Sequence, residues 1–380
     1  MLQCVGDIDP ALGGSVEAAR QLSMALDRLG HAVELVTLRD PLPEWSAEWP
    51  GTVHCAGRAS TRYLYNSDLP AWISARARHF DAIVIHGLWR YTSAGVWRGL
   101  RGLGVPYYIF PHGMLDPYFK HAHPWKHLQK SLCWRMVERR VLRDARAVLF
   151  TCEEERRRAR LTFPSYVCHE RVVGLGIARP TDDAVAQKQA FLAAYPQLAG
   201  TQTVLFLGRI HPKKGCDLLI RAFARVIAHD PSLRLVMAGP DECGWQAELQ
   251  QLAQQLGISA RIVWTGPLYG ALKWGAMRAA EVFALPSHTE NFGITVAEAM
   301  ACGLPVLISK EVNIWREIES DGAGLVAADD LEGTGTLLER WLAMRDAGRY
   351  RMRVNALLSF ARRFELNRFA HDFVECLKSV

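Results

Sequence analysis

VFALPSHTENFGITVAEAMACGLPVLIS, residues 282–309, reads as a strand, a polar loop, a helix and a second strand. The apolar run Val282 to Leu285 is short enough for a buried strand. Pro286 to Asn291 is polar, and Gly293 stands where a helix over Thr295 to Ala301 begins. Gly303 and Pro305 then end that helix and launch the strand Val306 to Ser309. Two strands joined by a helical crossover belong to a parallel sheet covered by helices.

The same rhythm extends in both directions. Thr203 to Leu207, Leu233 to Ala238 and Arg261 to Thr265 read as strands. Helical segments lie at Asp217 to Ala228, Gln246 to Leu256 and Leu272 to Ala279. Upstream, strands are expected at Leu2 to Val5, Ala32 to Thr37, Ala82 to His86, Pro106 to Phe110, Ala147 to Thr151 and Arg171 to Val173. A helix is expected over Val16 to Leu29. Residues 180–200 read as a linker with one helix, which divides the chain into two doubly wound α/β domains. The expected boundaries are 1–178 and 179–362, followed by a C-terminal helix, 363–380, packing back toward the first domain. Phe369, Phe373 and Leu377 form its apolar stripe.

Composition agrees with two globular cores: the 380 residues are 49% hydrophobic and 22% charged. This excludes disordered and fibrous classes. Nine scattered cysteines imply reduced thiols in a cytosolic protein, and neither a disulfide frame nor a zinc site. Met1 leads directly into a strand, so no signal peptide is expected. No apolar run approaches the roughly 18 residues of a membrane span. A net charge of +6 favours anionic small partners without pointing to nucleic acid.

Ligands of open α/β sheets bind beyond the carboxyl ends of the strands. In the second domain, Arg209 follows one such end, and Lys213, Lys214 and Gly215 open the next helix. Two cations there can neutralise a diphosphate. Glu290 lies in the polar loop and Glu298 one turn into the helix. A carboxylate on a core-facing helix needs partners, and sugar or ribose hydroxyls would serve. The helix N-terminus at Gly293, Ile294 and Thr295 offers open N–H groups to an anion.

In the first domain, Gly13 and Gly14 end the loop after the first strand, where backbone can approach a phosphate. The loop lacks the G-x-G-x-x-G pattern, which disfavours a dinucleotide. Asp7 and Asp9 could hold a divalent metal, but fit a turn and helix entry better. His86-Gly87 and His112-Gly113 end two strands and point to a polar cleft, with His112 able to exchange a proton near neutral pH. His121, His123 and His127 suggest a metal cluster, yet read better as a solvated helix start.

Glu290 and Glu298, followed by Ala299-Met300-Ala301-Cys302-Gly303-Leu304-Pro305-Val306, resemble the signature of group 1 (family 4-like) retaining glycosyltransferases. Gly208-Arg209, Lys214-Gly215, Gly13-Gly14 and His112-Gly113 match other stations of that family, in order, over nearly the whole chain. The resemblance implies the GT-B fold, two Rossmann-like domains facing a cleft, with the acceptor on the first and the nucleotide sugar on the second. It implies hexosyl transfer from a nucleoside diphosphate sugar to an acceptor hydroxyl, as in polysaccharide, lipopolysaccharide or glycolipid assembly. No cofactor or metal is implied. Glu298 is then a ribose ligand. Glu290, with Asn291, Phe292, Gly293, Ile294 and Thr295, holds the donor sugar and distal phosphate. Arg209 and Lys214 bind the diphosphate, Gly13 and Gly14 approach it, and His112 contacts the sugar. Asn291 stands where the family often has glycine, and Val312 to Glu317 replace a glycine pair. Rival readings are a nucleotide-sugar epimerase, a phosphorylase of the same fold, or a non-catalytic nucleotide-sugar-binding subunit.

Pro124 to Arg146 reads as one basic helix with an apolar stripe of Trp125, Leu128, Leu132, Met136 and Val137. Two readings are open: a core-packing helix with a solvated basic face, or a peripheral contact with anionic membrane on its cytoplasmic side. The first is the plainer reading; the resemblance motivates the second, since many relatives extend lipid-linked saccharides.

Overall fold

The computed structural model describes the chain except residues 10–12, 62, 119, 121–123, 181–182 and 380, and the side chain of His229. It contains two compact units, Met1–Ala178 with Glu365–Val380, and Arg179–Phe364.

The first unit carries strands β1 (Leu2–Val5), β2 (Glu34–Thr37), β3 (Thr52–Cys55), β4 (Ile83–His86), β5 (Tyr107–Phe110), β6 (Ala147–Phe150) and β7 (Glu170–Val172). Its helices are α1 (Gly14–Arg28), α2 (Leu69–Arg76), α3 (Tyr91–Leu100), α4 (Pro124–Cys133), α5 (Arg139–Asp144) and α6 (Glu153–Ala159). All pairs are parallel, in the order β3-β2-β1-β4-β5-β6-β7. The central strands β1, β4, β5 and β6 are buried along their whole length, as continuous apolar runs covered on both faces should be.

The second unit carries β8 (Gln202–Leu207), β9 (Leu233–Ala238), β10 (Ile262–Gly266), β11 (Val282–Leu285), β12 (Val306–Ser309) and β13 (Gly324–Ala327), in the parallel order β10-β9-β8-β11-β12-β13. Its helices are α7 (Ala184–Ala194), α8 (Cys216–Val226), α9 (Gln246–Gln255), α10 (Gly270–Ala279), α11 (Ile294–Ala301), α12 (Trp315–Ser320), α13 (Leu331–Leu342) and α14 (Asp346–Arg363). Both sheets are therefore doubly wound. The strand order reverses between β1 and β4 in one and between β8 and β11 in the other, and such reversals open ligand crevices.

Helix α15 (Leu366–Ser379) belongs to the first unit, although the second unit precedes it in the chain. Leu366, Phe369, Ala370 and Phe373 pack with Leu22, Leu26, Tyr108 and Phe110 on one face of the first sheet. Full burial of each phenylalanine contributes about 2–3 kcal/mol, so this stripe ties the helix firmly down.

The basic segment is not one helix. A π-helical turn, Trp134–Glu138, interrupts it between α4 and α5. Trp134, Val141 and Leu142 enter the core. The expected stripe does not follow them, apart from Val137. Trp125, Leu128, Leu132 and Met136 are exposed, at 80%, 62%, 60% and 56%, and no residue of α4 is buried. The core-packing reading of that stripe is thus overturned. His121 and His123 lie outside the described residues.

Candidate functional site

At the switch point of the second sheet, the loop after β8 locks onto the loop after β11. His211 Nδ1 accepts a hydrogen bond from the Lys213 amide (3.1 Å) and caps the short 3-10 turn Pro212–Lys214. Gly215 follows with φ 65°, and a Cβ there would lie 2.1 Å from the Pro286 carbonyl oxygen. Only glycine permits that approach. The Lys213 carbonyl accepts from Ser287 Oγ and the His288 amide, each at 2.8 Å.

The consequence is a direct ion pair between Lys214 Nζ and Glu290 Oε2. Both side chains are largely shielded, 14% and 20% exposed. Glu290 is fixed through its backbone as well. Its amide donates to the Glu311 carbonyl (2.9 Å), and its carbonyl accepts from the Asn313 amide (3.0 Å). The departure from the family pattern at Val312 to Glu317 thus lies beside Glu290. Asn313 is 1% exposed, and neither side-chain amide atom has a partner among the described residues.

Gly293, with φ 80°, starts α11 without a side-chain cap, and the first helical bonds run from Val296 and Ala297 back to its carbonyl. The first-turn amides before Val296 have no intrahelical acceptor, as at any helix start. Phe292 is buried edge-on against Phe364, at 5.5 Å and 89°, so it can meet a ligand only through its backbone.

Glu298 is 6% exposed. The sequence suggests sugar hydroxyls as its partner; the structure supplies Lys273 Nζ, 2.7 Å from Glu298 Oε1. Sequence reasoning missed Lys273, which lies on α10 and reads as one more solvated cation. Arg209 does not join Lys214 and Glu290. Its Nη1 donates to both oxygens of Glu242, at 2.8 and 2.9 Å, in an exposed setting. Glu242 also went unread.

In the first unit, α1 begins at Gly14, with Gly13 at φ 82° and no side-chain cap. Asp7 and Asp9 share a partner, Arg39 Nη1, at 3.0 and 3.1 Å. The Asp9 amide also donates to Asp7 Oδ1 at 3.0 Å, closing a local turn.

The two His-Gly strand ends do meet. His86 Nδ1 and His112 Nε2 are 2.9 Å apart. Phe110 lies nearly parallel to both rings, within 15°. Burial pushes the His112 imidazole down to about 4 and holds His86 well below its ordinary value, with His112 adding to that effect. Both rings are neutral at physiological pH. His112 is consequently a hydrogen-bonding group there, and not the neutral-pH acid that its type suggests. Behind it, Glu155 accepts from the Gly113 amide and, through its other oxygen, from the amide and hydroxyl of Thr151, all at 2.7 Å. A second buried carboxyl, Glu138, accepts from Ser93 Oγ (2.9 Å) and the Trp89 amide (3.1 Å). Burial outweighs these bonds and lifts it to about 7.

Two family models match the chain: "Glycosyl transferase 4-like domain" over residues 13–176 and "Glycosyl transferases group 1" over residues 188–356. A D-inositol 3-phosphate glycosyltransferase of Kineococcus radiotolerans is 28% identical over 86% of this chain and 79% of its own length. One of Nocardia farcinica is 36% identical over 42% of this chain, and the matched stretch spans only 37% of that relative. Among solved structures, sucrose-phosphate synthase from Thermosynechococcus elongatus covers 100% of this chain and 98% of its own, with TM-score 0.79 and 22% identity. Anabaena HepE in complex with UDP and glucose covers 100% and 99%, with TM-score 0.77 and 18% identity.

Proposed function

The chain belongs to the group 1 glycosyltransferases of GT-B fold, and on that premise we propose that it transfers a hexosyl unit from a nucleoside diphosphate sugar to an acceptor hydroxyl, with retention at the anomeric carbon. The observation that carries this reading is the meeting of Lys214 and Glu290 at the β8/β11 switch point. One group suits the departing phosphate, the other suits sugar hydroxyls, and the open start of α11 adjoins them.

In this reading Lys214, Arg209 and the N-terminus of α11 take up the negative charge that grows on the diphosphate. Glu290 and the backbone from Asn291 to Thr295 hold the sugar and distal phosphate. Glu298 holds the ribose. Gly13 and Gly14 bring backbone to the phosphates, and His112 meets the sugar. Charge compensation is assigned to side chains and helix dipole, with no metal or cofactor. Lysines occupy both motif glutamates, which disfavours either as a covalent nucleophile. A same-face route, in which the leaving phosphate takes the acceptor proton, fits that arrangement.

The Anabaena neighbour's UDP and glucose make UDP-hexoses the first donors to try, and the inositol phosphate relatives suggest a phosphorylated polyol or saccharide as first acceptor. The test is nucleoside diphosphate release with and without acceptor. Release that requires acceptor supports transfer. Conversion of donor without acceptor supports an epimerase, and binding without turnover a non-catalytic subunit.

The exposed stripe of α4 and the π-turn after it favours a peripheral site of action. Trp125, Leu128, Leu132 and Met136 are flanked by the exposed cations Lys126, Arg135, Arg139, Arg140 and Arg143. An apolar stripe edged by cations complements an anionic lipid surface, where each cation near the headgroups is worth about 1 kcal/mol. No disulfide joins any of the nine cysteines, which supports the reducing, cytoplasmic side of the membrane. The acceptor would then be lipid-linked, in polysaccharide, lipopolysaccharide or glycolipid assembly. Flotation with anionic vesicles, lost in Trp125→Ser/Leu128→Ser and weakened by salt, supports docking. Failure to float at low salt overturns it.

A further inference from the structure

We propose that His86 is a positioning residue that sets the tautomer of His112, so that His112 presents its Nδ1–H outward as a hydrogen-bond donor; this rests on placing His112 beside the donor sugar.

The two imidazoles are coplanar within 12°, with centroids 5.2 Å apart and the facing nitrogens at 2.9 Å. That separation is what an in-plane, edge-to-edge N–H···N bond requires, and it is too long for face-to-face packing. A neutral imidazole carries one N–H, so exactly one of the two facing nitrogens is protonated. The far nitrogen of His86 decides which. His86 Nε2 is buried and has no partner among the described residues. A buried N–H without an acceptor is rarer in proteins than a buried acceptor without a donor. His86 therefore leaves Nε2 bare and carries its hydrogen on Nδ1, which donates to His112 Nε2. His112 is left with its only hydrogen on Nδ1.

The surroundings hold this arrangement. Phe110 lies parallel to both rings at 5.6 and 5.4 Å. His112 itself sits at φ 51°, a left-handed conformation uncommon outside glycine. Glu155 anchors the next amide, Gly113 N–H, at 2.7 Å, so that the backbone cannot relax and turn the ring. The chemical gain is a neutral donor near a carbon that becomes cation-like in the transition state. An imidazolium there would oppose the developing positive charge.

The test is nitrogen-15 NMR of the full chain labelled at histidine, with kinetics on His86→Asp and His86→Asn. In the unmodified protein, His112 is expected to be protonated at Nδ1 and bare at Nε2. In His86→Asp, whose carboxylate accepts instead of donating, the proton should move to Nε2, with kcat falling roughly ten- to a hundred-fold, the scale for a misplaced catalytic group, and donor KM little changed. His86→Asn, whose amide N–H replaces the lost donor, should keep Nδ1–H and most of the activity. His112 protonated at Nε2 in the unmodified protein overturns the inference, and that observation needs no variant to fold. So does a His86→Asp chain with unaltered tautomer and kcat. Undiminished transfer by His112→Ala would instead overturn the placement of His112, whatever its tautomer.

Discussion

Lys214 and Glu290, 76 residues apart in the chain, form an ion pair because their loops leave the carboxyl ends of neighbouring strands β8 and β11. The strand order reverses between those strands. Both side chains are shielded well beyond the level at which ion pairs lose their value to solvent. In the unliganded chain the two groups therefore satisfy one another, and a donor must exchange with both at once.

Lys214→Ala is expected to lower turnover by about 10²-fold or more, the scale for one preorganised charge contact, with the fold retained. Glu290→Gln should also lower kcat. Their losses should not add, because each variant already removes the other's partner. The check is kcat at saturating donor for both single variants and the double. Additive losses would mean that the pair does not act as a unit.

Arg209 reaches a diphosphate only by leaving Glu242. The exposed pair contributes little to stability, typically below about 1 kcal/mol. Glu242→Gln should thus leave Tm unchanged and lower donor KM, by removing a competitor for the guanidinium. Arg209→Ala should raise KM and lower kcat. Donor saturation curves for both decide the point, and weaker binding by Glu242→Gln would speak against the exchange.

Glu298→Gln should raise donor KM with little change in kcat, since ribose does not alter during the reaction and its contacts are uniform binding energy. Lys273→Met should cost stability too, because it removes a cation from a buried carboxylate. Tm measurements test this: Lys273→Met should melt below the unmodified chain, and adding Glu298→Gln should restore part of the loss. A Lys273→Met chain that melts unchanged would show that the pair is incidental.

The pH dependence follows from the buried histidines. His112 is near 4 when folded and near its ordinary 6.5 when unfolded. Between these values the unfolded chain binds more protons, so this contribution is complete above about 6.5 and lost as pH falls toward 4. Glu138 runs the other way. Near 7 folded against an ordinary 4.5, its contribution is complete below 4.5 and lost as pH rises to 7. For activity, His112 should produce no limb near 6.5, and kcat/KM should fall on the acid side only toward 4. A limb at 6.5 would mean that the imidazole titrates in solvent.

The alternation of strands and helices was legible in the residues because central parallel strands are continuous apolar runs. Leu2–Val5, Val282–Leu285 and Val306–Ser309 appear where expected. Edge strand β3 was not, since Thr52–Cys55 is only partly buried and lacks such a run. The π-turn at Trp134–Glu138 has no local signal; it answers to the burial of Trp134 and Glu138. Within the site, the paired glutamates and the glycines at helix starts were readable because their chemistry is local. Lys273, Glu242 and Glu155 were not. Each acts on a residue from another element, and Glu155 looks like one more acid in the run Glu153-Glu154-Glu155.

Hexosyl transfer with retention is tested most directly by proton NMR of a UDP-α-hexose with chain, acceptor and EDTA present. The donor's anomeric doublet should decay as an α-linked product doublet of similarly small coupling appears, matched by free UDP. It should not decay without acceptor or with Lys214→Ala. A β-linked product, an epimerised donor, or transfer that stops in EDTA and returns with Mg²⁺ would contradict the account.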